Sequence, residues 1–173
     1  IGLGIPAEPL FRSRSNVRAA KDGGAIFIDV NADSDAYLTG SSIINLTKFT
    51  NCSAEFGGAM LQLGGFMNIL HSVFENNHAE YSGGAIYSSN ATFYSFNSTF
   101  KNNYIRDLNR LSKGGALYLD YSNDVDIRSC NFTDNKITKT AFAENGGAAV
   151  FSDGQSLDID SRSRSEERVS RNA

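Results

Sequence analysis

Proline is nearly missing from this chain. Only Pro6 and Pro9 occur, both within the first nine residues, so nothing downstream interrupts a continuous backbone hydrogen-bond ladder. No run of about 18 apolar residues is present, which excludes a membrane-spanning helix within the chain. A net charge of -3 gives no reason to expect a nucleic-acid partner. The two histidines, His71 and His78, lack metal-ligand spacing with each other or with a cysteine. No Gly-x-Ser-x-Gly elbow occurs either, so the usual signature of a serine nucleophile is absent.

What is abundant is one phrase, Gly-Gly-Ala followed by an apolar residue. It is written five times, starting at Gly23-Gly24, Gly57-Gly58, Gly83-Gly84, Gly114-Gly115 and Gly146-Gly147. A second phrase, Phe followed by Asn-rich residues, precedes four of the copies, at Phe49, Phe74, Phe100 and Phe132. Two phrases alternating in fixed order make this a repeat protein. Gly57 to Phe74 and Gly83 to Phe100 are each 17 residues apart, and Gly114 to Phe132 is 18. From each Phe to the next glycine pair the count varies over 8, 9, 14 and 14, so insertions are confined to one corner of the repeat.

Within the constant stretch the alternation has a period of two. Two residues before each Phe stand Thr47, Ser72, Ser98 and Cys130, all small; five before stand Ile44, Ile69, Ser95 and Ile127; seven before the last three stand Met67, Phe93 and Val125. One break falls between the second and fifth positions, where a strand would bend and resume. The segments are rich in Phe, Tyr, Ile, Ser and Thr, which favour strands over helices. Each repeat therefore reads as about three short strands around one coil, with successive coils stacked at roughly 4.8 Å.

The alternation of GGAI or GGAL with FxxN, as in Phe74 to Ile86 and Phe100 to Leu117, resembles the repeats of the chlamydial polymorphic outer membrane proteins. The resemblance covers about residues 23 to 151; it departs where Cys52 replaces the Asn of the first copy and where Ala149 follows the fifth Gly-Gly-Ala. It implies an all-β fold, a right-handed parallel β-helix of the pectin-lyase-like kind, with four to five coils here. It also implies an autotransporter-type adhesin passenger located extracellularly, at the cell surface or on an outer membrane. The expected organisation is an N-terminal flank over 1–21, the β-helix over 22–160 and a charged, disordered tail over 161–173. The chain opens on Ile1 and reads as a piece of a longer protein, any membrane attachment lying outside it.

The glycine pairs could cradle phosphate, but a strand rather than a helix follows each one, so they read as tight corners. Asn77, Asn103 and Asn135, each three residues after a Phe, read as a ladder of stacked side-chain amides along the coil axis. Cys52 and Cys130 belong to coils three apart, roughly 14 Å at strand spacing, and are expected as thiols. Asp29, Asp33 and Asp35, and Asp120, Asp124 and Asp126, cluster along the sequence, yet no carboxylate pair is expected to repeat on neighbouring coils, so no catalytic residues are assigned. Neither a cofactor nor a metal is expected. Five Asn-x-Ser/Thr triplets, at Asn45, Asn51, Asn90, Asn97 and Asn131, fit either secretory glycosylation or an Asn-rich and Ser/Thr-rich composition.

The function expected is therefore adhesion or surface display without catalysis, toward a host or matrix surface protein or glycan. A carbohydrate-active enzyme fragment and a purely structural stalk are the alternatives. An acidic or mixed acidic and basic cluster on adjacent coils would favour the enzyme. The two longest insertions, Tyr104 to Lys113 and Lys136 to Asn145, fall at the same point of consecutive coils, making Arg106, Arg110, Lys113, Lys136 and Lys139 candidate binding cations.

Overall fold

The computed structural model describes residues 12–30, 40–106, 112–122, 124–138, 149–154, 156–159, 164–165 and 169–171. These residues form strands, turns and bends with no helix among them. The strands assemble into four parallel sheets that the chain visits in rotation, which makes a parallel β-helix. The first sheet contains Arg12–Ser15, Thr47–Thr50, Val73–Glu75, Thr99–Lys101, Asn131–Thr133 and Arg164–Ser165. The second contains Ser53–Phe56, His78–Ser82, Tyr104–Ile105 and Lys136–Ile137. The third contains Ile26–Asp29, Met60–Leu63, Ile86–Ser89, Leu117–Asp120, Val150–Asp153 and Val169–Arg171. The fourth contains Ser41–Asn45, Phe66–Leu70, Thr92–Phe96, Val125–Arg128 and Leu157–Ile159.

Four coils carry all four strands, and a preceding one lacks only its second, keeping the isolated bridges Arg18 to Ser53 and Asp22 to Phe56 instead. Three strands per coil was the expectation from the sequence, and four is the finding. The extra strand lies in the variable stretch between Phe and glycine pair, where changing length hides the alternation. Strand pairing also extends past the boundaries drawn at 21 and 161, through Arg12–Ser15 at one end and Arg164–Ser165 and Val169–Arg171 at the other. Ladder bonds use the backbone alone, so an Arg- and Ser-rich segment joins them as readily as an apolar one.

Most of the described corners turn through the left-handed region of backbone space. After the first sheet the turning residues are Asn16, Asn51, Asn76, Asn102 and Asp134, with φ from 54° to 56°. After the second they are the first glycines of the pairs, such as Gly83 at 64°. After the third stand Gly64, Asn90 and Tyr121, and after the fourth Leu46, His71, Asn97 and Ser129. That last column is the break in the period of two, three residues before each Phe. Asn, Asp and Gly dominate the corners because a Cβ close to the following carbonyl disfavours other residues there.

The glycine pair combines two separate requirements. Gly83 takes the positive φ, whereas a Cβ on Gly84 would sit on the carbonyl oxygen of Gly115 in the next coil. Conformation and close approach together leave no room for a side chain. The alanine column Ala59, Ala85, Ala116 and Ala149, in register on successive coils, is fully buried.

The interior consists of columns of like residues. Phe49, Phe74, Phe100 and Phe132 pair in register and stack face to face, with centroids 4.8, 5.0 and 4.9 Å apart. Burying each contributes about 1.5–3 kcal/mol. Beside them runs the asparagine ladder. Oδ1 of Asn103 accepts from the backbone N (3.1 Å) and Nδ2 (3.0 Å) of Asn77, while Nδ2 of Asn103 donates to the carbonyl of Phe74 (2.9 Å) and to Oδ1 of Asn135 (2.9 Å). Cys52 caps the ladder, its backbone N donating to Oδ1 of Asn77 at 2.9 Å. A shorter ladder runs through Thr47, Ser72 and Ser98, where each hydroxyl of the next coil accepts from the backbone N of the one before. Cys52 and Cys130 are buried thiols in separate coils, donating to the carbonyls of Thr50 and Arg128.

Candidate functional site

A coil buries one side of every strand, so ligand chemistry has to lie on the outer faces. On the second sheet the residue in the middle of each triplet points inward. Ala54, Ala79 and Ile105 are buried, while Ser53 and Glu55, His78 and Glu80, and Tyr104 and Arg106 flank them. Register places Ser53 beside His78, His78 beside Tyr104 and Tyr104 beside Lys136, with Arg18 bridged to Ser53 from the coil before. The outer face is thus two columns, a mainly polar one four residues after each Phe and a mainly charged one six residues after.

These columns enclose a cleft of about 320 Å³ lined by Arg18, Ala19, Ala20, Ser53, Ala54, Glu55, His78, Glu80 and Arg106. Small residues at its floor leave the space that the long side chains rim. The side chains of Arg18, Glu55, Glu80 and Arg106 have no ion-pair or hydrogen-bond partner among the described residues, although all four border one cleft. The rim charges balance, two guanidinium groups against two carboxylates. His78 stacks flat on Tyr104, with centroids 5.0 Å apart and planes 8° from parallel. Burial holds the His78 imidazole below its ordinary pKa, and the charges of Arg106 and Arg18 push the same way against Glu80. The imidazole is therefore neutral near pH 7, able to accept a hydrogen bond.

The candidate cations fare differently from one another. Arg106 is on the cleft, and Lys136 is exposed in the adjacent coil at the end of the first column. Tyr104–Ile105 and Lys136–Ile137 pair directly, so both long insertions leave the scaffold from neighbouring rungs. Lys113 is not a loop charge. It bridges to Ser82 and lays its ammonium over the rings of Phe151 (4.5 Å) and Tyr118 (5.7 Å). Arg110 and Lys139 lie outside the described residues, as do Gly146 and Gly147.

The acidic residues require a correction. Asp120 pairs in register with Asp153, and Asp126 with Asp158, so carboxylates do repeat on neighbouring coils. The sequence missed this because their partners follow a glycine pair whose coil is lengthened by insertion. Local bonds occupy the first of each pair. Asp120 accepts from the hydroxyls of Tyr87 (3.1 Å) and Tyr118 (2.9 Å), and burial followed by the Asp120 charge raises both phenols above their ordinary pKa. Asp126 takes Arg128 at 2.7 Å, and Asp124 accepts from Tyr94 at 3.2 Å. Asp29 is exposed, and Asp33 and Asp35 lie outside the described residues. His71 occupies an exposed corner, its Nδ1 2.9 Å from Nδ2 of Asn97.

Sequence reading left Arg18, Glu55 and Glu80 unassigned and gave His78 no role. The signal that finds them is positional: aligning the repeats on Phe and reading the fourth and sixth residues after it yields both columns. Neither a comparison with curated proteins nor one with solved structures found a match. A family model described as a right-handed β-helix region matches residues 15–163, which spans nearly every coil above. The chain belongs to the right-handed β-helix family.

Proposed function

We propose that this β-helix is a recognition segment of a secreted or surface-displayed protein. Its second sheet, with the insertions that leave it, engages an acidic glycan or glycan-bearing matrix partner without turning it over. The observation that carries this reading is the cleft, whose two arginine and two glutamate side chains have no ion-pair or hydrogen-bond partner among the described residues. Holding such groups out of ion pairs forgoes pairing energy, and a ligand with both anionic groups and hydroxyls would use all of them. The resemblance of the Gly-Gly-Ala and Phe-Asn repeats to those of polymorphic outer membrane proteins supports display at a surface.

The test is binding to sulfated and neutral oligosaccharides, before and after Arg18→Ser with Arg106→Ser. A preference for the sulfated ligand that weakens with salt and drops at least tenfold in the double variant is expected. Equal binding of both ligands, or an unchanged double variant, would refute it.

One specific observation favours a second reading. Glu55, His78 and Glu80 lie on adjacent coils beside two arginines, an acid-plus-base grouping able to cleave a glycosidic bond. Release of reducing ends from an acidic polysaccharide, lost in Glu80→Gln, would select the enzyme over the binder.

A further inference from the structure

We infer that the five Asn-x-Ser/Thr triplets are N-glycosylation sites, and that four of the glycans, all but that of Asn90, flank the first sheet while none is attached within a strand of the second. The inference rests on the export half of the proposed function and is independent of what the cleft binds. Twelve asparagines have described side chains, six of them exposed, and five of those six open such a triplet: Asn45, Asn51, Asn90, Asn97 and Asn131. None of the six half-buried or buried ones does. The fold explains part of this, because the residue two after each ladder asparagine is the inward-facing Ala79, Ile105 or Ile137. It does not explain Asn68, Asn76 and Asn102, where the residue two on is Leu70, His78 or Tyr104 on the outer side and a hydroxyl would fit equally well. Hydroxyl residues thus fall two after asparagine where a glycan has room to stand, which composition alone does not require.

The local bonding agrees. Oδ1 of Asn131 accepts from the Thr133 hydroxyl at 3.1 Å, a bond that does not use Nδ2 of this exposed residue. Nδ2 of Asn51 and of Asn97 each makes one side-chain bond, to Asn16 and to His71. A glycosylated amide keeps one N–H and can still make that bond. The transfer forms a bond between the asparagine Nδ2 and the anomeric carbon of a lipid-pyrophosphate-linked oligosaccharide. The bond from that carbon to the pyrophosphate oxygen breaks, the lipid pyrophosphate leaves with the electron pair, and the amide loses a proton, with no redox change.

Placement gives the modification its consequence. Asn45 and Asn97 mark the corner between the fourth and first sheets, Asn131 lies in the first sheet and Asn51 in the corner beyond it. Asn90 lies between the third and fourth sheets, and no triplet asparagine lies in a strand of the second sheet, which the Asn51 triplet reaches only through its serine, Ser53. A glycan is bulky and hydrophilic, so it blocks contact with the faces around it.

The test uses protein isolated from its own cells, treated with peptide N-glycosidase in ¹⁸O-water and analysed as peptides. Conversion of Asn45, Asn51, Asn90, Asn97 and Asn131 to ¹⁸O-labelled Asp, with a fall in intact mass, is expected. Recovery of all five as unmodified asparagine would overturn the inference. Protein made in a bacterial cytoplasm, which bears no such glycan, separates the two readings. It should bind the sulfated probe as the glycosylated protein does; binding that needs the glycan would show that the sugars serve recognition instead of masking the first sheet, and would overturn the assigned role.

Discussion

Replacing Asn103 with leucine removes four buried hydrogen bonds at once. The backbone N–H of Asn77 loses its acceptor, and one hydrogen of the Asn77 amide loses its own, while the other keeps the Phe49 carbonyl at 3.2 Å. Oδ1 of Asn135 keeps its bond from the Asn103 backbone at 3.0 Å. Two donors are thus stranded inside a coil where Asn77 and Asn103 are both 0% exposed. At about 1–3 kcal/mol for each unsatisfied buried group, less about 1 kcal/mol for the apolar area that leucine buries, the expected loss is about 3 kcal/mol. Urea unfolding followed by circular dichroism gives the change in midpoint, and amide exchange locates it, because the Asn77 N–H should exchange far faster than its neighbours. Asn45→Leu is the matched control: it lies exposed in a strand and should shift stability by no more than about 0.5 kcal/mol. Asn90 serves less well, since its φ of 53° would charge leucine for the backbone as well. Equal midpoints for Asn103→Leu and Asn45→Leu, or an Asn77 amide that stays protected, would refute the ladder as a source of stability.

Gly84→Ala should cost more than about 3 kcal/mol or abolish folding, because the new methyl meets backbone on the next coil and cannot be relieved by a rotamer change; a soluble variant with a native melting temperature would contradict this. Lys113→Ser should lower the melting temperature and leave binding to sulfated ligand unchanged, whereas Arg106→Ser should do the reverse, as paired melting and titration experiments would show. The His78 pKa is lowered in the fold, so the unfolded chain binds the proton more readily and stability falls as pH drops below the ordinary value of 6.5. That acid-side slope should flatten in His78→Gln, and identical pH profiles would remove His78 as its source.

The inner half of each coil was legible in the sequence because the interior repeats. Phe stacks on Phe and Asn on Asn at every rung, so the columns appear in the chain as phrases at constant spacing. The break in the period of two was legible as a position, but its cause was not: Leu46, His71, Asn97 and Ser129 share one backbone conformation although they share no chemistry. The outer faces were not legible in the same way. Solvent imposes no identity on Ser53, His78, Tyr104 and Lys136, so a column exists in register without existing as a pattern. The same holds for Asp120 beside Asp153, 33 positions later in the chain.

This division between inner and outer residues bears on how such a protein acquires a ligand. The ladders fix the position of each rung through backbone, Phe, Asn and Gly, none of which lies on the outer face of the second sheet. The fourth and sixth residues after each Phe can therefore change without cost to the stack, as Ser53, His78, Tyr104 and Lys136 already illustrate on one column. Insertions enter at the same place, after Ile105 and Ile137, and the glycine pair returns the chain to register whatever their length; the bond from the backbone N of Gly83 to the carbonyl of Lys113, across the first long insertion, marks the point of return. Charge, shape and loop length on this one face are thus free of the constraints that hold the coil together. In the cleft that freedom is expressed as arginine and glutamate side chains that have no ion-pair partner among the described residues.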